Sequence, residues 1–492
     1  MAILRLASGV LAAASVVAGG WLPEVIIRDV AIIGGGSSGA YAAVRLKEDF
    51  NKTIVLVEKA ARLVCSTLHH TTCCSHADLL PQGGHVSTYD DPKTGSSFDF
   101  GVQSFNDYGP AKAFFDRLGI PVSAAPRVAL TSKYVDFVSG AAVNFTPPAN
   151  DARVAALTKF LNVTAAYEQY FLPGYWNFPA PANIPEDLLL PFGQFVTKYN
   201  LQAAVNQVFQ VTGMGTGDML NSLTLYVLGA FGQPMIRAFL GQGATFTPNV
   251  RRNLALYEAI QTRLGDDVLL NTQIVQSLRT PIGHTLWAKS ADGSSTIIIA
   301  RKLLIAIEPT TANMDPFGLD SVEESVFAKF KYSSVHAGIV SHASLPANVS
   351  LVNTPAAASP ANYMVLPKPN FNVRFDYLGL NSDLFRVLLV GDQAFDKTAA
   401  QALVRANFAS LVGAGTVPAA TNPAAALEIR AWADHGAMHM HVDASELRSG
   451  FIQKLYALQG RRETWWTGGA FSVQFQTILW AFDDILLPKL LA

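Results

Sequence analysis

The most regular pattern in the chain is an apolar run near its start, followed by glycines and then by helical periodicity. Residues 25–34 read VIIRDVAIIG, and a run this rich in β-branched residues is typical of a buried parallel strand. Residues 40–46 predict a helix, and the apolar segment TIVLVE, which ends at Glu58, predicts a second strand. Strand, glycine turn, helix and strand in this order predict an α/β fold.

The middle of the chain has a different pattern. Residues 110–235 are apolar and mainly helical, with a proline-rich connection at 173–191. Residues 315–430 alternate strand-like and helical segments, among them the buried strand LFRVLLVGD and the amphipathic helix DKTAAQALVRANFASLV. We therefore expect a second, α+β unit beside the first.

Composition narrows the class of protein. The chain has 492 residues, of which 50% are hydrophobic and 15% are charged, so it is long and apolar enough for two or more well-packed domains. The net charge is −1 and the sequence has no basic block, which argues against a nucleic-acid partner.

The N-terminal residues have the pattern of an export signal. Residues 1–20 contain one early arginine, an apolar run too short to span a bilayer, and small residues after it. We therefore expect a cleaved signal peptide, a place in the secretory pathway, and no membrane span in the mature chain. Four N-x-S/T sequons agree with that expectation: Asn51, Asn144, Asn162 and Asn348.

The glycines after the first strand form a dinucleotide fingerprint. Gly34, Gly36 and Gly39 fit G-x-G-x-x-G, in which the first allows a tight turn, the second admits a pyrophosphate and the third lets helix and strand pack closely. Ser38 lies in the first helical turn, where free N–H groups favour phosphate. Glu58 ends the second strand and is placed to accept hydrogen bonds from a ribose.

The residues around this unit resemble the flavin amine oxidase superfamily. The segments EKAARL, GGH and FDFGVQSF match its flavin-binding loop, with His85 where the superfamily usually has arginine. That change is similar to fungal FAD-dependent oxidoreductases like β-cyclopiazonate dehydrogenase. The resemblance implies FAD as cofactor and the following residues of this region as its contacts: Glu58, Lys59, Arg62, Gly83, Gly84, His85 and Val102.

Two later segments carry the same resemblance. GDDVLLNTQIVQSLR is similar to a returning strand whose backbone contacts the adenine, at Val275 here. WWTGGAFSV is similar to the C-terminal flavin motif, which implies cofactor contacts at Gly469, Ala470 and Phe471. A helix N-terminus beyond that turn would stabilise negative charge on reduced flavin. Covalent relatives use a C-terminal cysteine, and this chain has none there, so we expect non-covalent FAD.

The resemblance also implies a discontinuous domain organisation. We expect a Rossmann-like FAD-binding domain from residues 28–110, 236–315 and 431–492. An interleaved α+β substrate domain would come from residues 111–235 and 316–430.

Residues 64–82 interrupt the flavin-binding loop. They hold all three cysteines and three histidines, and removing them joins EKAARL directly to GGH. The segment starts with valine, whose codons begin GT, and ends with glutamine, one of whose codons is CAG. We interpret it as a translated intron or an insertion. A zinc site, a disulfide, a redox cysteine pair and a plain surface loop remain as alternatives.

Catalytic residues are hard to recognise because flavin itself accepts the hydride. The candidates are His435, for the substrate pocket, and Trp466, as an aromatic wall against flavin or substrate; core packing is the alternative for both. The spacing of His435, His439 and His441 also allows a metal interpretation, which we do not adopt. The expected activity is oxidation of a C–N or C–C bond in a small organic substrate, with O2 as a possible acceptor. The alternatives are a desaturase or isomerase acting on an apolar metabolite, and a binding protein that has lost FAD.

Overall fold

The computed structural model describes residues 23–63, 84–125, 129–419 and 426–492. The expected signal peptide, the segment 64–82 and the predicted cofactor contact Gly83 lie outside the described residues. The strands are β1 (Glu24–Ile33), β2 (Ile54–Val57), β3 (Thr88–Asp90), β4 (Ser97–Asp99), β5 (Phe105–Asn106), β6 (Val122–Ala124), β7 (Thr131–Val135), β8 (Thr245–Pro248), β9 (Val268–Leu269), β10 (Thr272–Thr280), β11 (Gly283–Ser290), β12 (Ser295–Ile305), β13 (Lys331–Ser341), β14 (Val349–Asn353), β15 (Phe371–Tyr377), β16 (Leu384–Gly391), β17 (Glu428–His441) and β18 (Thr464–Trp466).

Helices occur between and after these strands. They are α1 (Ser37–Glu48), α2 (Ala111–Arg117), α3 (Asn150–Thr164), α4 (Glu168–Phe171), α5 (Glu186–Leu189), α6 (Phe192–Tyr199), α7 (Gln202–Val211), α8 (Thr224–Ala230), α9 (Gln233–Phe239), α10 (Leu254–Leu264), α11 (Thr311–Met314), α12 (Ser321–Phe327), α13 (Lys397–Gly413), α14 (Ala444–Arg448), α15 (Phe451–Tyr456) and α16 (Gln476–Leu491). Of the long helices, α16 packs on the N-terminal unit and α13 packs on the second sheet.

The first sheet is built around the predicted parallel unit. Its order is β10-β11-β12-β1-β2-β9, and β18 also pairs with β12. β1 runs parallel to both β2 and β12, and its last four residues, 30–33, are buried on both faces. A strand covered on both sides needs a continuous apolar run, which is the pattern seen in the sequence. The predicted strand–helix–strand unit is confirmed.

The second sheet belongs to the substrate domain. Its order is β17-β13-β16-β15-β14-β7, so a strand from before residue 140 closes one edge and a strand from after residue 425 closes the other. The predicted strand LFRVLLVGD is β16 and the predicted amphipathic helix is α13, whose N-terminus is capped by Asp396. Helix α13 packs on this sheet through Val404 and Phe408.

One expected domain boundary is wrong. The sequence predicts that residues 431–492 belong to the FAD-binding domain. However, β17, which includes residues 431–441, pairs along its length with β13 of the second sheet. The chain returns to the first domain only after residue 441. A strand carries no sequence mark of the sheet that it joins, so the boundary could not be placed from the pattern.

The last helix packs against the first. The Trp480 ring of α16 stacks on the Tyr41 ring of α1 at 5.6 Å between centroids, and the Tyr41 hydroxyl donates to Asp484 at 2.7 Å. Arg45 forms an ion pair with the same carboxylate. These contacts hold α1, which follows the glycine turn, against α16.

We also searched the described ranges for helices able to cross a membrane. None of these helices combines the length and the apolar character that a crossing requires.

Candidate active site

Gly34 and Gly39 of the fingerprint occupy positions that a side chain could not. Gly34 has φ +100°, and a Cβ there would lie 2.6 Å from Ile307 Cγ2. A Cβ on Gly39 would lie 1.9 Å from the Gly34 carbonyl oxygen, so α1 can approach β1 only through a glycine. Both residues therefore have the roles predicted from their spacing.

Gly36 and Gly84 face each other across the turn. A Cβ on Gly36 would lie 3.8 Å from Gly84 Cα, with nothing closer, and Gly84 itself has φ +87°. The fingerprint and the GGH loop thus meet through two residues without side chains. This leaves bare backbone on both sides, which is the surface that a pyrophosphate requires.

The N-terminus of α1 has free hydrogen-bond donors. Its N-cap is Gly36, whose position provides no side-chain cap for the first N–H groups. The Ser38 hydroxyl is buried, with the residue 4% exposed, and it has no hydrogen-bond partner among the described residues. A phosphate would satisfy the hydroxyl and the helix N–H groups together, so this turn fits the cofactor that the sequence implies.

Glu58 lies directly beside this turn. It follows β2 and is 3% exposed, and its two carboxylate oxygens accept from the N–H groups of Gly35 at 2.7 Å and Ala60 at 2.8 Å. Each oxygen keeps a second lone pair that can accept from a ribose hydroxyl. Of the neighbouring predicted contacts, Lys59 is exposed and Arg62 is half-buried.

The GGH loop is held against the segment after β4. The Val102 N–H donates to the His85 carbonyl at 3.0 Å, and the Asn253 side chain donates to the Val102 carbonyl at 2.8 Å. A Cβ on Gly101 would lie 2.2 Å from the His85 carbonyl oxygen, so this close pairing also needs a glycine. Val102 is therefore a support of the loop, in which Gly84 is half-buried.

His85 points toward the second domain. Its ring lies 5.3 Å from the ring of His435, and it donates a hydrogen bond to the His435 backbone carbonyl. Burial lowers the pKa of His85 to about 4, against this hydrogen bond, which raises it. The imidazole is neutral at pH 7, so the residue brings no positive charge to the place where the superfamily has arginine.

Two β-bulges aim the histidines of β17. The pairing of β17 with β13 slips by one residue within 434–437 and again within 438–441, and these stretches contain His435 and His439. A regular strand would place both histidines and His441 on one face, whereas the bulges turn them differently. His435 contacts His85, His439 contacts the backbone of Gly215, and His441 contacts Tyr226.

The three histidines that meet here form a neutral lining. Burial lowers the pKa of His439 to about 3 and that of His435 well below its usual value. His85, His435 and His439 are each half-buried. Within the described part of the chain, no three metal-ligating side chains are placed to share an ion.

Glu308 contacts the turn of the C-terminal flavin motif, although it lies outside that motif in sequence and the sequence did not reveal its role. Gly468 has φ +109°, and the next two N–H groups, of Gly469 and Ala470, interact with the carboxyl group of Glu308. Burial raises the pKa of Glu308 to about 7, although these N–H groups and Gln474 oppose that shift. Glu308 follows β12, and an acid just after a buried strand of the cofactor sheet is the signal that could have found it.

Trp466 has a structural role, so its assignment as an aromatic wall is wrong. It is 0% exposed, one face stacks near Phe471, and Arg279 lies over its ring at 5.6 Å. Phe327 meets its edge. Phe471 is buried in the same packing, so its predicted cofactor contact can come only from its backbone.

Val275 lies at a bulge between β10 and β11. The pairing jumps from Ile274 to Gln276, and the Val275 side chain is 48% exposed. Its backbone therefore lies outside the regular ladder with β11, and its contact with adenine stays a prediction.

Comparison with known proteins gives relatives over nearly the whole chain. No protein-family model matches. The chain is 31% identical over 470 residues to the FAD-dependent oxidoreductase pigF of Monascus ruber, which is 95% of this chain and 93% of that protein. It is 32% identical over 467 residues to the β-cyclopiazonate dehydrogenase of Aspergillus oryzae, which is 95% of this chain and 94% of that protein.

Solved structures with the same fold include a fatty acid isomerase and an amine oxidase. A CLA-producing fatty acid isomerase from P. acnes superposes with a TM-score of 0.69, covering 94% of this chain and 98% of its own. Cyclohexylamine oxidase from Brevibacterium oxydans gives 0.61, also with 94% and 98% covered. Both are 16% identical to this chain, so they establish its fold, which is the predicted one.

Proposed function

The chain belongs to the fungal FAD-dependent oxidoreductases that include β-cyclopiazonate dehydrogenase, and on that premise we propose that it takes a hydride from a C–N or C–C bond of a small organic amine or secondary metabolite. FAD, when bound, supplies the hydride acceptor. The observation that carries the proposal is that the neutral histidines of β17 meet His85 of the flavin-binding loop. This contact supports a substrate pocket beside the cofactor site.

The residues that would hold FAD are distributed over three segments. Gly36 and Gly84 leave room for the pyrophosphate, and α1 with Ser38 supplies its hydrogen-bond donors. Glu58 would accept from the ribose. The turn at Gly469 would meet the flavin ring. All three cysteines of the chain lie within residues 64–82, far from this turn in sequence, which supports non-covalent binding.

The histidines favour a neutral reacting group. An imidazole with a pKa of about 3 is a weak base at pH 7, so His439 is poorly suited to remove a proton. It can still donate and accept hydrogen bonds as a neutral ring. We therefore assign His435 and His439 to substrate positioning, with a substrate that is uncharged at the bond to be oxidised.

The proposal is tested first by absorption spectroscopy. We expect oxidised-flavin bands in the purified chain that lacks residues 64–82, and bleaching of those bands when a substrate is added without oxygen. Gly36→Val in the same background is the matched control and should be colourless. A folded, colourless parent form would contradict the proposal.

Oxygen is the proposed final acceptor. In that case each oxidised substrate loses two electrons and two protons, and one O2 becomes one H2O2. Hydrogen peroxide should then appear in equal amount to product. An isomerase is redox-neutral and would form product with no peroxide, and a desaturase that passes its electrons to another acceptor would also release none. Measuring product and peroxide in one reaction therefore tests both the net oxidation and O2 as its acceptor.

We also propose that the chain enters the secretory pathway, as its first 20 residues suggest. All four sequon asparagines, Asn51, Asn144, Asn162 and Asn348, are exposed in the structure. The chain expressed in a fungal host should migrate faster on denaturing gels after treatment with an N-glycosidase, because removing the glycans lowers its apparent mass. An unchanged mobility together with an intact N-terminus would refute export.

A further inference from the structure

A cavity lies in the substrate domain, away from the histidines of β17. Its volume is about 310 Å³, within the range of small-molecule pockets. It lies between the sheet, at β7, β14 and β15, and the helices α3 and α7. Three strand steps separate β15 from β17 in this sheet, which is about 14 Å at the usual strand spacing.

The charged residues of this cavity have one sign. Arg153 and Arg374 line it, and its described lining contains neither Asp nor Glu. The Arg153 guanidinium donates to two amide oxygens, Gln207 Oε1 at 3.1 Å and Asn150 Oδ1 at 2.6 Å. Amides are neutral, so the charge of Arg153 has no carboxylate partner among its hydrogen bonds.

Arg374 is also incompletely compensated. Its nearest carboxylate, Asp376, lies 3.6 Å from Nε and is shared with Arg386, which binds it at 2.9 Å. Two guanidinium groups thus share one acid, and the buried Arg374 Nε has no hydrogen-bond partner among the described residues. Burial lowers the pKa of Arg374, while Asp376 raises it, and a guanidinium stays charged at neutral pH.

The remaining walls combine apolar residues with uncharged polar ones. Tyr134 and Phe145 meet edge to face at 4.9 Å, and Phe209, Pro147 and Leu366 lie around them. A buried positive charge is costly unless an anion pairs with it. Two arginines whose charge is only partly balanced, beside a group of aromatic and proline residues, therefore match a ligand with an acidic head and an apolar body.

We propose that this cavity binds a small organic monoanion, a carboxylate carried on an apolar body. Arg374 and Arg153 bind the carboxylate, and the aromatic and proline residues cover the body. The proposal does not rest on the flavin reaction, because the cavity is built from the substrate domain alone. Its test is a binding measurement, so its failure would leave the proposed function untouched.

The experiment is calorimetric titration of the full chain with three matched probes: 4-phenylbutyrate, 4-phenylbutanol and 4-phenylbutylamine. We expect one site for the carboxylate, about tenfold weaker binding of the alcohol, and no binding of the amine. Arg153→Gln should weaken the carboxylate about tenfold. Ala203→Phe, which fills the cavity from α7, should abolish binding.

Arg405→Gln is the matched control, because Arg405 is an exposed arginine of α13, a helix that packs in a separate core cluster. It should bind the carboxylate like the parent chain. Equal affinity for the three probes would overturn the proposal. So would carboxylate binding that survives Arg153→Gln unchanged, which decides the question even if Ala203→Phe fails to fold.

Discussion

Replacing Glu308 by glutamine removes the ionisable group that contacts the turn of the C-terminal flavin motif. The size of the side chain stays the same. The carboxyl group interacts with the N–H groups of Gly469 and Ala470, and its pKa is raised to about 7 by burial. In the resembling family this turn meets the flavin. A carboxylate at Glu308 therefore competes with the cofactor for the same N–H groups, whereas the protonated acid competes much less.

The size of the effect follows from the pKa. If FAD binds the form in which Glu308 is protonated, apparent affinity falls in proportion to the remaining fraction of that form. With a pKa of about 7, the loss is about tenfold at pH 8 and about a hundredfold at pH 9. Below pH 6 the acid is protonated and the affinity is level. Glu308→Gln should bind FAD with little pH dependence across the whole interval.

Fluorescence titration of cofactor-free protein with FAD, from pH 5.5 to pH 9, measures this directly and requires no turnover. Glu324→Gln is the matched control, since Glu324 is an exposed glutamate of α12. It should keep the slope of the parent chain. An equal slope in Glu308→Gln would refute the reasoning, because the pH dependence would then belong to another group.

Three further predictions follow from the site and its supports. Gly36→Val should lose flavin absorbance while keeping its far-UV circular dichroism, because the new side chain fills the gap to Gly84. His439 has a folded pKa of about 3, so its neutral form contributes stability that is complete above pH 6.5 and is lost as pH falls. His439→Asn, which suits the positive φ of this residue, should remove about 2 kcal/mol of the stability difference between pH 8 and pH 5 in urea titrations. Trp466→Leu should cost about 3 kcal/mol in the same assay and leave FAD affinity unchanged, because the ring packs only against protein.

The phosphate-binding turn could be predicted from the sequence because its causes are local. Gly34 and Gly39 are required by contacts within a few residues of the turn or with the adjacent strand, and the spacing of the three glycines is the same wherever this unit occurs. The fold followed from the resemblance, which extends over most of the chain.

The substrate side could not be predicted in the same way. Alternation along β17 would put His435 and His439 on one face, but two single-residue bulges depend on pairing with β13, which lies about a hundred residues earlier. Glu308 has no motif around it, and its role appears only when β12 and the C-terminal turn meet. Trp466 shows the converse, since an aromatic residue beside a cofactor motif looks the same in sequence whether it packs or binds.

The packing of α16 on α1 has a consequence for synthesis on the ribosome. Helix α1 is made long before its partners Trp480 and Asp484, which follow it by more than four hundred residues. β18 and the flavin turn are also late, although β18 pairs with β12 beside β1. A nascent chain therefore carries the glycine turn without its support until α16 has been made, and we expect FAD to load only after that point.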